Sequence, residues 1–232
     1  MSRSAAPLKL AIFDFDGTLV DSGAVIVSNM QEAFRRAGLE PPAPAACLRV
    51  VGLSLADAVA AIEPHPPAHL VETIVEHYRA RFQERRKTGE ADTGLFPGAF
   101  AVLERLKAQG ATIAAATGNS RRGLESVLDV HGLRPLFSAS QTADDAPSKP
   151  DPGMILNLLA ETGFAAEEAV MIGDTVFDIA MAKAVAGCKA VGVAWGHHAE
   201  GELRAAGADA VIRDFSELDR VLEGLFAAGG AS

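Results

Sequence analysis

Asp14 and Asp16 stand one residue apart at the end of the apolar run Leu10 to Phe13, and Gly17-Thr18 follows them at once. The run reads as a buried parallel strand. Alternate residues of an extended chain point the same way, so the two carboxylates share a side. Like charges at the end of an apolar strand are costly unless a cation or a proton compensates them. For this fragment alone, a solvated strand-end turn is the plain alternative.

Three further fragments bear chemistry-capable side chains. Thr117-Gly118-Asn119-Ser120 follows the apolar stretch Ile113 to Ala116. Thr117 offers a hydroxyl at a strand end, Gly118 permits close backbone approach, and Ser120 suits a helix cap whose free N–H groups favour an anion. Ordinary capping remains open here. Ser148-Lys149-Pro150-Asp151-Pro152 holds a lysine between turn residues just before a helix start. Alone it is a surface loop lysine. In Gly173-Asp174-Thr175-Val176-Phe177-Asp178, Asp174 follows a second apolar strand, and a helix starting near Thr175 sets Asp178 one turn on, on the same side. Acids complementing a helix dipole are the alternative reading.

Taken jointly the odds change. Two unit charges about 4 Å apart repel by roughly 4 kcal/mol at an effective dielectric of about 20. Four converging carboxylates would strain a domain whose whole stability is on the order of 5–15 kcal/mol. A hard divalent cation with oxygen ligands relieves that repulsion, and Lys149 adds a second positive charge. Mg²⁺ fits best, since it takes few carboxylates, keeps waters and shares phosphate oxygens. The set reads as a phosphoryl-transfer site.

The elements that would position these residues follow from pattern. Helices are expected over Gly23 to Gly38, from Ser54 to before Pro64, and from Pro67 to Lys87, with a Pro-rich break at 41–44. No strand signal occurs between Asp21 and Leu95. From Lys107 onward strands and helices alternate. Strands are expected at Ala111 to Thr117, Phe137 to Gln141, Ala169 to Gly173, Lys189 to Val193 and Ala210 to Ile212. Helices are expected from Ser120, at Pro152 to Thr162 and at Val176 to Ala186. The alternation predicts an α/β fold, a Rossmann-like parallel sheet covered on both faces. The helical block reads as an inserted cap domain, residues 21–95, in a core of 1–20 and 96–232, with hinges near Val20 to Gly23 and Gly89 to Pro97. In such sheets ligands collect beyond the carboxyl ends of the strands, where all four fragments lie.

Composition narrows the class. The chain has 232 residues, 49% of them hydrophobic, enough for one large domain or a domain with an insertion. A formal net charge of -9 argues against nucleic-acid binding, which needs a basic face. No run approaches the roughly 18 apolar residues of a membrane span, and no secretory leader is read at the start. Cys47 and Cys188 have no metal spacing, so two reduced thiols in a cytoplasmic protein are expected. Nothing in the chain separates a monomer from a homodimer.

The four fragments, in this order and these contexts, resemble the motifs of the haloacid dehalogenase superfamily: Asp14-Phe-Asp-Gly-Thr, Thr117, Lys149, and Gly173-Asp174-Thr-Val-Phe-Asp178. The resemblance covers roughly residues 7–22 and 96–220. The insertion between the first and second motifs is similar to that of subfamily I members with an α-helical cap. Phosphoglycolate phosphatases are the nearest general type, and Gly192-Val-Ala-Trp-Gly with Ala205-Ala-Gly-Ala-Asp-Ala-Val-Ile is similar to that group. The resemblance implies that Asp14 is the nucleophile and Asp16 the general acid and base. It implies that Mg²⁺ is held by Asp14, the Asp16 carbonyl and Asp174, with Asp178 in support. Thr117, Gly118, Asn119 and Lys149 would hold the phosphoryl oxygens of a small phosphorylated metabolite.

Within the superfamily, Asp16 argues against dehalogenase chemistry, because dehalogenases protonate no alkoxide. Phosphonate-cleaving relatives use a cap lysine, whereas the cap here has only Lys87, at its far end. Sugar phosphomutases resemble Gly-Val-Ser-Arg in the cap loop; here it reads Gly52-Leu53-Ser54-Leu55, without the arginine. A β-phosphoglucomutase-like enzyme, a pyrophosphatase or nucleotide phosphatase, and a non-catalytic sensor of phosphorylated metabolites are the rivals. Gly52 and Ser54 are open as substrate contacts. Trp195-Gly196-His197-His198 reads as a packed or solvated loop, since sequential histidines seldom face one ion. His65, His69 and His77 receive no role.

Overall fold

A computed structural model describes residues 9–63, 66–88 and 93–227. The expected hinge around Gly89, His65, and the outer ends of the core range at 1–8 and 228–232 fall outside these residues. Strand β1 (Leu10–Phe13) leads into four helices: α1 (Gly23–Arg36), α2 (Pro44–Arg49), α3 (Leu55–Ile62) and α4 (Ala68–Thr88). Then come α5 (Ala99–Ala108), β2 (Thr112–Ala116), α6 (Arg121–Val130), β3 (Ala139–Gln141), α7 (Gly153–Thr162) and β4 (Ala169–Gly173). The chain continues through α8 (Val176–Lys183), β5 (Lys189–Val193), α9 (Glu200–Ala205), β6 (Ala210–Ile212) and α10 (Leu218–Ala227).

The strands form one parallel sheet in the order β3-β2-β1-β4-β5-β6. Every residue of β1 and β4 is buried, as strands covered on both faces must be. Alternation divides β1 between two cores. Ala11 and Phe13 pack with Leu103, Ile113 and Phe215, whereas Leu10 and Ile12 pack with Met154, Ile155 and Met181. The chain leaves β1 in both directions across the sheet, so the order reverses between β1 and β4. That switch point opens a crevice at the strands' carboxyl ends.

The helical block carries a hydrophobic cluster of its own, with Met30, Phe34, Cys47, Val59 and Ile74 at its centre. Single bridges join Asp16 to Val20 and Val20 to Leu95 where the chain enters and leaves the block. Ser54 caps α3, its hydroxyl accepting from the Asp57 N–H.

Several elements differ from expectation. The Pro-rich break holds the start of α2, with Pro44 in the first turn, where a missing N–H costs nothing. Helix α8 ends at Lys183, and helix α1 at Arg36. The strand expected from Phe137 begins at Ala139, after a short 3₁₀ turn at Arg134–Leu136. Helices α5, α9 and α10 lie outside the set expected from pattern.

Candidate active site

The loop after β1 turns back on itself. Gly17 adopts φ +86°, and a Cβ there would run into the Asp174 carboxylate and the His197 ring. The turn lets the Thr18 hydroxyl donate to Asp174 Oδ1 at 3.1 Å. From β5, the loop 195–198 reaches the same group, its His197 N–H donating to Asp174 Oδ2 at 2.8 Å. Both oxygens of Asp174 are thus engaged at its 0% exposure. Burial, with the repulsion of Asp14 and Asp178 added, pushes its pKa well above the usual carboxylate range.

Asp14 and Lys149 are the other buried pair. Lys149 Nζ lies 2.8 Å from Asp14 Oδ1 and donates to Asp178 Oδ1 at 2.6 Å. Neither oxygen of Asp14 has a partner at hydrogen-bond geometry, so the Lys149 contact is an ion pair without a directed bond. Burial raises the Asp14 pKa to about 7, against the pull of Lys149. Burial also works against the charge of Lys149, but the attraction of Asp14 and Asp178 outweighs it and holds the ammonium on. The remaining oxygen of Asp178, Oδ2, accepts from the Thr175 N–H at 3.0 Å and the Thr175 hydroxyl at 2.7 Å, which also caps α8.

Carboxylate oxygens of Asp14, Asp174 and Asp178 lie within 4.8 Å of one another. Three buried carboxylates face one buried ammonium, which leaves two negative charges unbalanced when all are ionised. Together with Asp14 Oδ2, which has no partner, this hard all-oxygen donor set fits a divalent cation.

Asp16 is half-buried beside this cluster, with Asn119 Nδ2 3.5 Å from its Oδ2. Its pKa is raised by burial, against the nearby Ser22 hydroxyl and His197. Thr117 follows β2, and its hydroxyl accepts from the Asn119 N–H at 3.2 Å. Gly118 meets the helical block: a Cβ there would collide with the carbonyl oxygens of Leu53 and Gly52. Beside it, the Ser54 N–H donates to Ser148 Oγ at 2.7 Å. Of the eight residues singled out from the sequence, Asp14, Asp16, Thr117, Gly118 and Asn119 line one crevice, and Lys149, Asp174 and Asp178 are buried beside Asp14.

Other contributors were not anticipated from the sequence. Thr18, Thr175 and Ser148 act through the hydrogen bonds just given. His198, 2% exposed, accepts from the Val176 N–H at Nδ1 and places Nε2 3.1 Å from the Arg49 carbonyl, tying core to helical block. Trp195 donates to the Thr18 carbonyl and stacks edge-on against Phe215. The 195–198 loop is thus packed, as read; His198 holds its neighbours through its ring, whereas His197 acts through its backbone N–H and its buried Nε2 has no hydrogen-bond partner. The signal for Thr18 lay in Gly17-Thr18 itself, a turn that brings a hydroxyl back toward the strand ends.

A family model, haloacid dehalogenase-like hydrolase, matches residues 11–193. The chain is similar to "Probable phosphatase IndB" of Dickeya dadantii, 36% identical over 90% of this chain and 91% of that protein. It is similar to phosphoglycolate phosphatase of Agrobacterium fabrum, 32% identical over 100% of this chain and 99% of that one. A crystal structure of a hydrolase from Pseudomonas syringae superposes with a TM-score of 0.80 at 25% identity, covering 93% of this chain and 98% of that one. The chain accordingly belongs to the haloacid dehalogenase-like hydrolase family, as a hydrolase acting on phosphate esters.

Proposed function

We propose that the chain is a Mg²⁺-dependent phosphatase that hydrolyses a small phosphomonoester through an aspartyl phosphate on Asp14. The observation that carries this reading is the Asp14 carboxylate. It is buried, lacks a hydrogen-bonded partner, and sits in a cluster with two uncompensated charges. A carboxylate so placed is held ready for an electrophile and a cation.

In this reading Asp14 Oδ attacks phosphorus in line with the ester oxygen, and the phosphorus–oxygen bond to the leaving alcohol breaks. Asp16, its pKa raised by burial, holds the proton that the departing alkoxide takes, then removes one from the water that cleaves the acyl phosphate. Lys149, Thr117 and the backbone at Gly118–Asn119 hold the phosphoryl oxygens and stabilise charge that grows in the transition state. Asp14, the Asp16 carbonyl and Asp174 would hold Mg²⁺, with Asp178 in support through its hold on Lys149. When bound there, the ion would supply positive charge to offset that of the phosphoryl group and the carboxylates.

Residues 21–95 act as a cap over residues 1–20 and 96–232. The cap loop at 52–54 lies against Gly118 and Ser148, which supports a role in closing the site. Among the described residues no helix is long and apolar enough to cross a membrane. Two buried free cysteines support a reducing, cytoplasmic setting. The name of the Agrobacterium relative makes 2-phosphoglycolate the first substrate to try.

Release of inorganic phosphate from phosphomonoesters, with Mg²⁺ and with excess chelator, tests the reading. Metal-dependent release is expected, with a phosphoryl group trapped by acid quench on the peptide carrying Asp14. Turnover unaffected by chelator, or a trapped phosphoryl group elsewhere, overturns it.

A further inference from the structure

Asp14 and Asp16 form one end of a cavity of about 720 Å³ that runs between the sheet and the cap. Its size lies within the range of about 300–1,000 Å³ that accommodates drug-sized ligands. A phosphoryl group bearing a two-carbon acid would leave most of it unfilled. The cap loop at 52–54 closes one flank by docking on Gly118 and Ser148, so the space beyond the phosphoryl position belongs to the substrate's leaving group.

The chemistry of that space is apolar. Val25, Ile26 and Met30 of α1 and Tyr78 and Phe82 of α4 line it, with Leu53 from the cap loop. Among the described residues no lysine lines it, and its two arginines, Arg79 and Arg122, are solvent-exposed. A carboxylate on a short leaving group would therefore exchange water for an apolar wall, at a cost. Polar side chains are interspersed, Gln83, Asn119 and Ser126 among them. Ser22 lines the cavity at 5% exposure, its hydroxyl next to Asp16. Burial and the nearby Asp16 raise the Tyr78 pKa, so its phenol stays protonated and able to donate. Two aromatic side chains with a few hydroxyls suit an uncharged ring bearing one or two polar atoms.

We propose that the leaving group is a ring-bearing, largely uncharged alcohol, seated between α1 and α4 with its ring against Tyr78 and Phe82. This rests on the phosphatase reading above and goes further by naming the class of alcohol released.

The probes are benzyl phosphate, ethyl phosphate and 2-phosphoglycolate, compared by kcat/KM with purified protein in Mg²⁺. Benzyl and ethyl alcohols are similar leaving groups, so the ratio between their esters reports binding of the ring. Burying a ring-sized apolar group predicts a ratio of about ten- to a hundredfold in favour of benzyl phosphate. Ile26→Trp, which fills the cavity, is expected to lower that ratio about tenfold, and Phe82→Leu to lower it in the same direction. Thermal unfolding confirms that each variant folds. A preference for 2-phosphoglycolate over benzyl phosphate overturns this inference and leaves the phosphatase reading standing. So does a benzyl-to-ethyl ratio that neither substitution moves. Metal-dependent hydrolysis of none of the three overturns both.

Discussion

Lys149 Nζ donates to Asp178 Oδ1 at 2.6 Å while both side chains are 0% exposed. The bond explains why an acid one helical turn beyond Asp174 is present at all. Asp178 spends its second oxygen on Thr175, which starts α8, so one carboxylate fixes both the helix start and the ammonium. Lys149 in turn stands 2.8 Å from Asp14. A buried cation between two buried anions cannot be removed cheaply, because both carboxylates are then left uncompensated.

Lys149→Met is therefore expected to destabilise the metal-free protein by about 3–5 kcal/mol, read from urea unfolding in chelator. Asp178→Asn retains the shape but weakens the hold on Lys149. Its kcat is expected to fall at least tenfold, on the order of 1.4 kcal/mol of transition-state stabilisation. An Asp178→Asn protein with unchanged kcat would mean that the position of Lys149 is set by Asp14 alone.

Asp14→Asn separates chemistry from folding. The amide cannot become an acyl phosphate, so turnover is expected to vanish. Stability behaves differently. The substituted amide buries no charge, whereas Asp14 is ionised against burial above its raised pKa of about 7. In chelator at pH 8 the variant is expected to melt no lower than the wild type, by calorimetry. A large drop in melting temperature would show that the Asp14–Lys149 ion pair outweighs the desolvation of the acid.

The same shifts give a pH dependence with a definite sign. Folded-state pKa values of Asp14 and Asp174 lie above the ordinary 3.8, so the folded protein binds protons more tightly than the unfolded chain. The contribution of Asp14 is fully present below about pH 4 and is lost as pH rises through about 7, and that of Asp174 has the same sign. Surface acids such as Glu168, held low by Lys9, and Glu200, held low by Arg204, act the other way. Their contribution is present above the ordinary 4.5 and is lost only as pH falls below it. The melting temperature of metal-free protein should therefore decline between pH 5 and pH 8, and saturating Mg²⁺ should flatten or reverse that decline. A metal-free profile that rises across this interval would contradict the raised carboxyl values.

How far this site could be read from the chain depends on the range of the interactions. Strands β4, β5 and β6 have the expected bounds because each is a short apolar run, bounded by charged or glycine residues in β4 and β6, a local signal. Asp14, Thr117, Lys149 and Asp174 were legible because each sits just after such a strand, or in a loop next to a helix start. Helix α2 was hidden because six residues, Pro44–Arg49, hold too little apolar period to outweigh the prolines before it. Helix α9, equally short, rests on Leu203 as its one buried residue. Ser148 and His198 were not legible as site residues because their partners lie in other segments, and for Thr18 only the turn, not its partner, was local. The Thr18–Asp174 bond spans 156 positions and the Ser54–Ser148 bond 94. No window of sequence contains such a pair.

Gly118 offers the sharpest test of cap closure. Thr117 and Asn119 on either side face the acids, but Gly118 itself meets the carbonyls of Gly52 and Leu53. Alanine would fit the backbone of β2 and its loop while its methyl occupied the place of the cap carbonyls. The cap loop would have to withdraw, and with it the Ser54–Ser148 hydrogen bond next to Lys149. Gly118→Ala is therefore expected to lower the melting temperature and to reduce kcat/KM at least tenfold, since a withdrawn loop admits water and loosens the substrate. Ser148→Ala removes the same hydrogen bond without the collision and should lower kcat/KM by less. If Gly118→Ala turns over like the wild type, docking of the 52–54 loop is no part of the catalytic cycle.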